Sequence, residues 1–341
     1  MLRCFGNKKD DIEKNGFFLR NGAAVLEQII VSLNGNCNPI RNYSLQELNK
    51  ATDNFSWSRM IHLSSGYILY KGVHDSREIS VKKYAGNAVT SSPFNRLELI
   101  SNEVAISSRM SEHKNVLKLL GCCLETELPL LVFEFPEKGN LSSFLKRFAN
   151  GKEEEELPFE TKLKISVGLA NAAAYLHHGL SNMFIHRDIH IGNVFLDHNY
   201  VAKLSEFRLS LPIPEGETHV DAEVCGTTGF IAPEVVLRGR YTEQSDAYNF
   251  GILLFELLVG KRYGDLIMSP IWNNDSSCNI WVNEQNLCKS YLEVEILGEE
   301  NRAQKTECAK LVERCLEQNP DERPSMIQVA QILTSIKGMK C

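Results

Sequence analysis

The sequence has no apolar run of the length a bilayer crossing requires: its longest, Phe250 to Val259, falls far short of the roughly 20 residues of a spanning helix. An export signal is also missing, because Arg3, Lys8 and Lys9 are not followed by an apolar stretch. Leu2 stands where N-myristoylation needs glycine. The ten cysteines contain no Cys-x-x-Cys, and Cys122 and Cys123 are adjacent, so no resident metal is expected and reduced thiols are. Positive charge is not in surplus: the net charge of −6 gives a nucleic-acid partner no electrostatic support. These absences together predict a reduced, cytoplasmic protein. Cys4 beside Arg3, Lys8 and Lys9 is the feature that points to peripheral attachment at the plasma membrane, through acylation.

What is present is an ordinary globular composition, 43% hydrophobic and 23% charged over 341 residues, long enough for about two lobes. Residues 1–15 are polar and expected to be loose. From Phe17 a helical spacing places Leu26, Ile29, Ile30 and Leu33 on one apolar stripe that must be buried, and Asn34-Gly35 ends it. Ser44 and Glu47 form a capping box for a second short helix. Ile68–Tyr70, Ile79–Val81 and Leu130–Phe135 read as strands. Ser92-Pro93 signals the start of a helix carrying Leu97, Ile100 and Val104. Glu153 to Glu156 reads as a solvated loop, since consecutive carboxylates cannot all face one ion. Ile165, Leu169, Ala172 and Leu176 mark a long amphipathic helix, and Tyr248 to Leu258 is apolar all round, as a buried central helix should be. A strand-rich first part and a helix-rich second part give an α+β class with two lobes.

Separated motifs then fall in an ordered series. Lys82 ends the strand "ISVKKY", Glu103 lies on the next helix, and "HRDIHIGN" runs from His186 to Asn193. "IAPE" ends at Glu234, "SDAYNFG" carries Asp246, and "DERPSM" carries Arg323. In this order and spacing, over about residues 55–335, they resemble the eukaryotic protein kinases. The resemblance implies a bilobal kinase fold, with a strand-rich upper and a helical lower lobe. It also implies an extension over 1–54 and a tail over 336–341. By the same resemblance Lys82 would grip nucleotide phosphates with Glu103 as its ion-pair partner. Ile61, Leu69 and a normal hinge at Glu134 would line the nucleotide. Asp188 would be the base position, Asn193 and Glu206 would hold metal, and Glu234 would close an activation segment containing Thr218, Thr227 and Thr228.

Several of the parts that handle ATP are altered. Glycine lets backbone N–H groups approach phosphates closely, yet His62, Ser64 and Tyr67 stand at the three glycine positions of the loop "IHLSSGYILYKG". Tyr67 is expected to hold that loop away from the phosphates or to fill their space. Glu206-Phe207-Arg208 replaces Asp-Phe-Gly: a side chain one methylene too long for magnesium's strict octahedron, followed by a cation expected to pair with Glu206 or Asp188. His190 replaces the usual loop lysine, either packing in the loop or contacting phosphate as an imidazole that is mostly neutral at neutral pH. The surviving Lys82, Glu103, Asp188 and Asn193 can be structural, because half of a buried ion pair costs more than a whole one.

"NPIRNYSLQELNKATDNF", "LGCCLE" and "LVFEF" further resemble plant receptor-like cytoplasmic kinases related to the wall-associated group. Within them the chain is similar to a subgroup of small immune pseudokinases that partner a coiled-coil nucleotide-binding leucine-rich-repeat receptor. This implies an adaptor or decoy sensing bacterial effectors or other receptor-like cytoplasmic kinases, with no required cofactor, weak ATP binding and doubtful magnesium. An active Ser/Thr kinase and a nucleotide-gated switch remain the alternatives.

Overall fold

The computed structural model describes residues 8–33, 35, 38–64, 66–85, 95–149, 157–260, 263, 292 and 300–339. The chain divides into two compact units, Met1–Gly139 and Asn140–Cys341. Glu153 to Glu156, Cys4 and the Ser92-Pro93 pair lie outside the described residues.

The first unit opens on helix α1, Lys8–Leu33, which begins nine residues before Phe17, so residues 8–16 are helical rather than loose. It packs along α3 (Arg96–Met110). Its buried face is Asn21, Val25, Ser32 and Leu33, while Leu26 and Ile30 are 58% and 55% exposed. The expected stripe was therefore set on the wrong side for two of its four members. The reason is polar: the Asn21 amide donates to the carbonyls of Leu124 (3.0 Å) and Thr126 (2.8 Å). That anchor fixes the helix rotation, and Leu26 lies about 100° round from the buried Val25. Gly35, at φ +77°, turns its N–H back to the Ile29 carbonyl and ends the helix.

Helix α2 (Leu45–Ala51) starts on the expected capping box, and the Ser44 backbone N–H and hydroxyl hold the Glu47 carboxyl down at about 2. Strand β1 (Arg41–Asn42) joins β2 (Met60–Leu63), β3 (Tyr67–His74), β4 (Arg77–Tyr84), β5 (Leu119–Cys123) and β6 (Leu130–Glu134) in one sheet, order β1-β5-β6-β4-β3-β2. One face packs Ile79, Val81 and Val132 against Tyr43, Leu48 and Ala51. Tyr43, Leu48 and Ala51, from the expected extension, thus help to form the core of this unit. Cross-strand register pairs Tyr67 with Tyr84 and Leu69 with Lys82, and residues so paired share a face. Asn95, not Ser92, caps α3: its side chain accepts the Leu97 N–H at 3.1 Å.

The second unit is mainly helical. Helix α4 (Leu141–Ala149) precedes α5 (Phe159–His178), which buries Ile165, Leu169, Ala172 and Leu176 as the spacing predicts. The short α6 (Pro233–Arg238) is followed by α7 (Glu243–Val259), buried from Ser245 to Leu258. Helices Arg302–Cys315 and Met326–Gly338 pack on α7 and α5. The last runs past residue 335 to Gly338 and buries Ile336, so the helix extends into the expected tail. The five described cysteines are free thiols, and burial pushes Cys308 and Cys315 up to about 12. No helix among the described residues is long and apolar enough to cross a membrane.

Candidate functional site

In the first unit, Lys82 lies on the inner strand β4 and its side chain is 2% exposed. Its Nζ donates to both carboxylate oxygens of Glu103 on α3, at 2.7 and 2.9 Å. Tyr84 donates its hydroxyl to Glu103 Oε2 at 2.5 Å. The Tyr67 ring lies over the same ammonium, 4.2 Å from Nζ to centroid, and the Tyr84 ring stands 5.1 Å away. Lys82 therefore sits in a cage of one carboxylate and two aromatic faces, where a cation is held both by charge and by ring quadrupoles. Tyr67 is 2% exposed, so it fills the space above the lysine. The loop before it closes on itself: the Ser64 N–H donates to the Tyr67 carbonyl at 3.0 Å. An N–H spent inside a hairpin is not presented to a phosphate.

At the expected hinge, both backbone groups of Glu134 are engaged within the protein. The Glu134 carbonyl accepts the Ser80 hydroxyl at 2.8 Å, and the Glu134 N–H donates to the Lys118 carbonyl at 2.9 Å. Two residues on, Pro136 has no N–H to give. An adenine edge needs a backbone donor beside an acceptor. Here the Glu134 donor is spent and its acceptor already carries one bond. Leu69 is buried and Ile61 half-buried at the β2 bulge, apolar positions without a polar role. Neither Ser80 nor Pro136 was singled out from the sequence. The serine inside "ISVKKY" and the proline in "EFPEKG" were the available signals.

In the second unit, Asp246 organises the loop that carries Asp188. Its carboxylate accepts the backbone N–H of His186 (2.7 Å) and Arg187 (2.9 Å). Arg187, at φ +72°, donates to the carbonyls of Leu209 and Glu223 and lies over the Tyr241 ring. Asp188 itself is enclosed. Its Oδ1 accepts from Thr227 N–H (2.9 Å) and Thr227 Oγ1 (2.7 Å), and its Oδ2 accepts from Asn193 Nδ2 (2.9 Å). Burial pushes its carboxyl up, but His190 and Thr227 prevail and hold it well below the usual range. His190 packs in the loop: Nδ1 accepts the Gly192 N–H at 3.0 Å, and Nε2 stands 3.1 Å from Thr227 Oγ1. Thr227 is thus bound to the Asp188 cluster rather than free, whereas Thr218 and Thr228 are exposed.

Glu206 is buried in a left-handed conformation, φ +69°, with Oε2 3.6 Å from Arg208 Nη1. The expected Glu206–Arg208 pair is present. Magnesium, which the fold family implies, wants compact carboxylates at 2.0–2.1 Å in a near-ideal octahedron. The residues do not fit it. Glu206 is one methylene longer than aspartate and carries a guanidinium beside it. Glu234 is held bidentately by Arg323 at 2.8 and 2.9 Å.

A kinase core whose lysine, catalytic-loop aspartate and metal-side glutamate are all turned toward the protein's own groups defines the class. Residues 62–333 match the protein tyrosine and serine/threonine kinase family, and the chain belongs to that family. It is 36% identical to the non-functional pseudokinase ZRK2 of Arabidopsis thaliana, over 97% of this chain and 93% of that one. It is also 36% identical to the serine/threonine-protein kinase ZRK1 of that plant, over 98% and 95%. Identity to the non-functional pseudokinase ZED1 of Arabidopsis thaliana is 40%, over 74% and 73%. The same plant's wall-associated receptor kinase-like 1 matches at 34%, the chain spanning 43% of its length.

Proposed function

We propose that this protein is a catalytically impaired pseudokinase that acts as an adaptor or decoy in plant innate immune signalling. The observation that carries the reading is the caged Lys82, whose ammonium is enclosed by Glu103, Tyr67 and Tyr84. Two of its relatives, named as non-functional pseudokinases, support it. In this reading no cofactor is required, ATP binds weakly and magnesium adds little. The expected result is no autophosphorylation and no transfer to a basic substrate above an Asp188→Ala control. ATP, with or without magnesium, should leave the melting temperature nearly unchanged, since stabilisation follows ligand occupancy. Robust transfer that disappears in Asp188→Ala overturns the reading. It would favour the second one, a weakly active or nucleotide-gated Ser/Thr kinase, which the intact Asp188–Asn193 pair and the relative named as a kinase support.

The partner in this reading is a coiled-coil nucleotide-binding leucine-rich-repeat immune receptor, with bacterial effectors or other receptor-like cytoplasmic kinases as the sensed species. The protein would work in the cytoplasm, peripherally at the plasma membrane if Cys4 is acylated. The outer face of α1 supports a protein contact: Ile12, Leu19 and Leu26 recur every seven residues, Ile30 follows, and each is more than half exposed. Exposed apolar side chains aligned on one helix face are what interface centres draw on. Leu19→Glu, Leu26→Glu and Ile30→Glu should keep the parent's circular dichroism and lose at least about tenfold in receptor co-precipitation, the size of one hot-spot loss. Folded variants that bind like the parent would remove α1 from the contact.

A further inference from the structure

Away from the catalytic loop, the last turn of α5 meets the first turn of α7 in a cluster of two histidines and a glutamate. We propose that His177, His178 and Glu243 bind a first-row divalent transition-metal ion, with zinc as the working choice. The proposal is independent of whether the chain is an adaptor or an enzyme.

His177 is the anchor. Its imidazole is wholly buried, and Nε2 lies 2.9 Å from Asp246 Oδ2. A carboxylate can only accept, so Nε2 carries the proton. Asp246 is held in turn by the backbone N–H groups of His186 and Arg187, which leaves the ring little freedom. This is the outer-shell arrangement that fixes a metal-binding tautomer: one ring nitrogen is tied to a carboxylate and the other is turned toward the ion. The other nitrogen, Nδ1, is buried without a hydrogen-bond partner and faces Glu243 Oε2 across 3.6 Å.

His178 and Glu243 supply the remaining donors. His178 Nε2 is 3.0 Å from Glu243 Oε2, while Glu243 Oε1 accepts from Gln244 Nε2 at 3.3 Å. The three donor atoms all lie within 4.8 Å of one another. Zinc bonds of 2.0–2.1 Å in a tetrahedron place ligand atoms about 3.3 Å apart, so two edges are already in place and the third needs a small closure. Neighbouring residues on one helix point about 100° apart, which lets them straddle an ion offered from a second helix. The side chains of His178 and Glu243 are 35% and 19% exposed, so the ion has an entry path and a water can complete the tetrahedron. Two nitrogens and one carboxylate suit zinc and its neighbours better than magnesium or calcium, which prefer oxygen alone. The proposed site departs from the expectation of no resident metal, which the cysteine pattern alone had set.

The natural competitor is a proton. Burial lowers the affinity of His177 for one, but Asp246 and Glu243 raise it to about 9. A metal ion would take the place of that proton on Nδ1 and release it. Once bound, it would tie α5 to α7 beside Asp246, and so brace the loop from His186 to Asn193.

The test is equilibrium dialysis of the purified full chain against zinc chloride after chelation, beside His178→Gln and Glu243→Gln, both at partly exposed positions. The expected result is one zinc per chain, with affinity at least about tenfold lower in each variant. Cobalt(II) in place of zinc should show the visible bands of a four-coordinate site in the parent and lose them in both variants. No retained zinc at micromolar concentrations would mean that the proton holds the site, and zinc retained equally by the variants would place it elsewhere; either result overturns the proposal.

Discussion

Replacing Lys82 by methionine is expected to unfold much of the first unit's stability rather than merely to remove a nucleotide contact. The Lys82 and Glu103 side chains are 2% and 1% exposed and 2.7 Å apart, so each supplies charge neutralisation that water cannot. Taking one partner from such a buried pair costs about 3–5 kcal/mol, because the other charge stays desolvated. Methionine matches the length of the lysine stem, so packing under Tyr67 changes little and the loss is electrostatic. The melting temperature should fall by about 10 °C. Pairing Lys82→Met with Glu103→Leu should recover most of the loss, since removing both charges also removes the desolvation penalty. In a chain whose lysine served nucleotide alone, the single variant would melt like the parent. That outcome, read by thermal or urea unfolding, would show that the cage is not structural.

Arg323→Ala should have an effect of the same order in the second unit. The Arg323 side chain is wholly buried and all five of its N–H donors are used. Two go to the Glu234 carboxylate at 2.8 and 2.9 Å, and three to the carbonyls of Glu317, Gln244 and Gln318. Its guanidinium also lies 4.9 Å from the Tyr248 ring centroid. Alanine would strand Glu234, only 11% exposed, and three backbone acceptors. The expected loss is about 3–5 kcal/mol. Faster proteolysis between Phe207 and Glu234 should accompany it, because Glu234 ties the end of that segment to the unit. Arg323→Lys should rescue only in part, as a point charge cannot form the planar fork. Parent-like melting and proteolysis of the alanine variant would refute the tie.

The sequence by itself determined the family and most of the framework. Ordered motifs survive as spacing along the chain, and periodicities such as Ile165-Leu169-Ala172-Leu176 report burial because a helix repeats every 3.6 residues. The capping box at Ser44 was legible for a related reason, since both partners lie within one turn. So was the loss of loop glycines, whose role is a backbone property of the residue type.

Tertiary structure decided the rest, wherever the answer depended on a partner distant in sequence. The rotation of α1 follows from Asn21 reaching carbonyls more than 100 residues on, which turned Leu26 and Ile30 outward against their hydrophobicity. The Ser80 hydroxyl meets the Glu134 carbonyl only through the β4–β6 register. Thr227 closes on Asp188 from 39 residues away, and Glu243 meets the paired histidines from 65. Hydrogen bonds and charges act over a few ångströms in any direction, and no periodic pattern along a chain records which side chains will meet at that range.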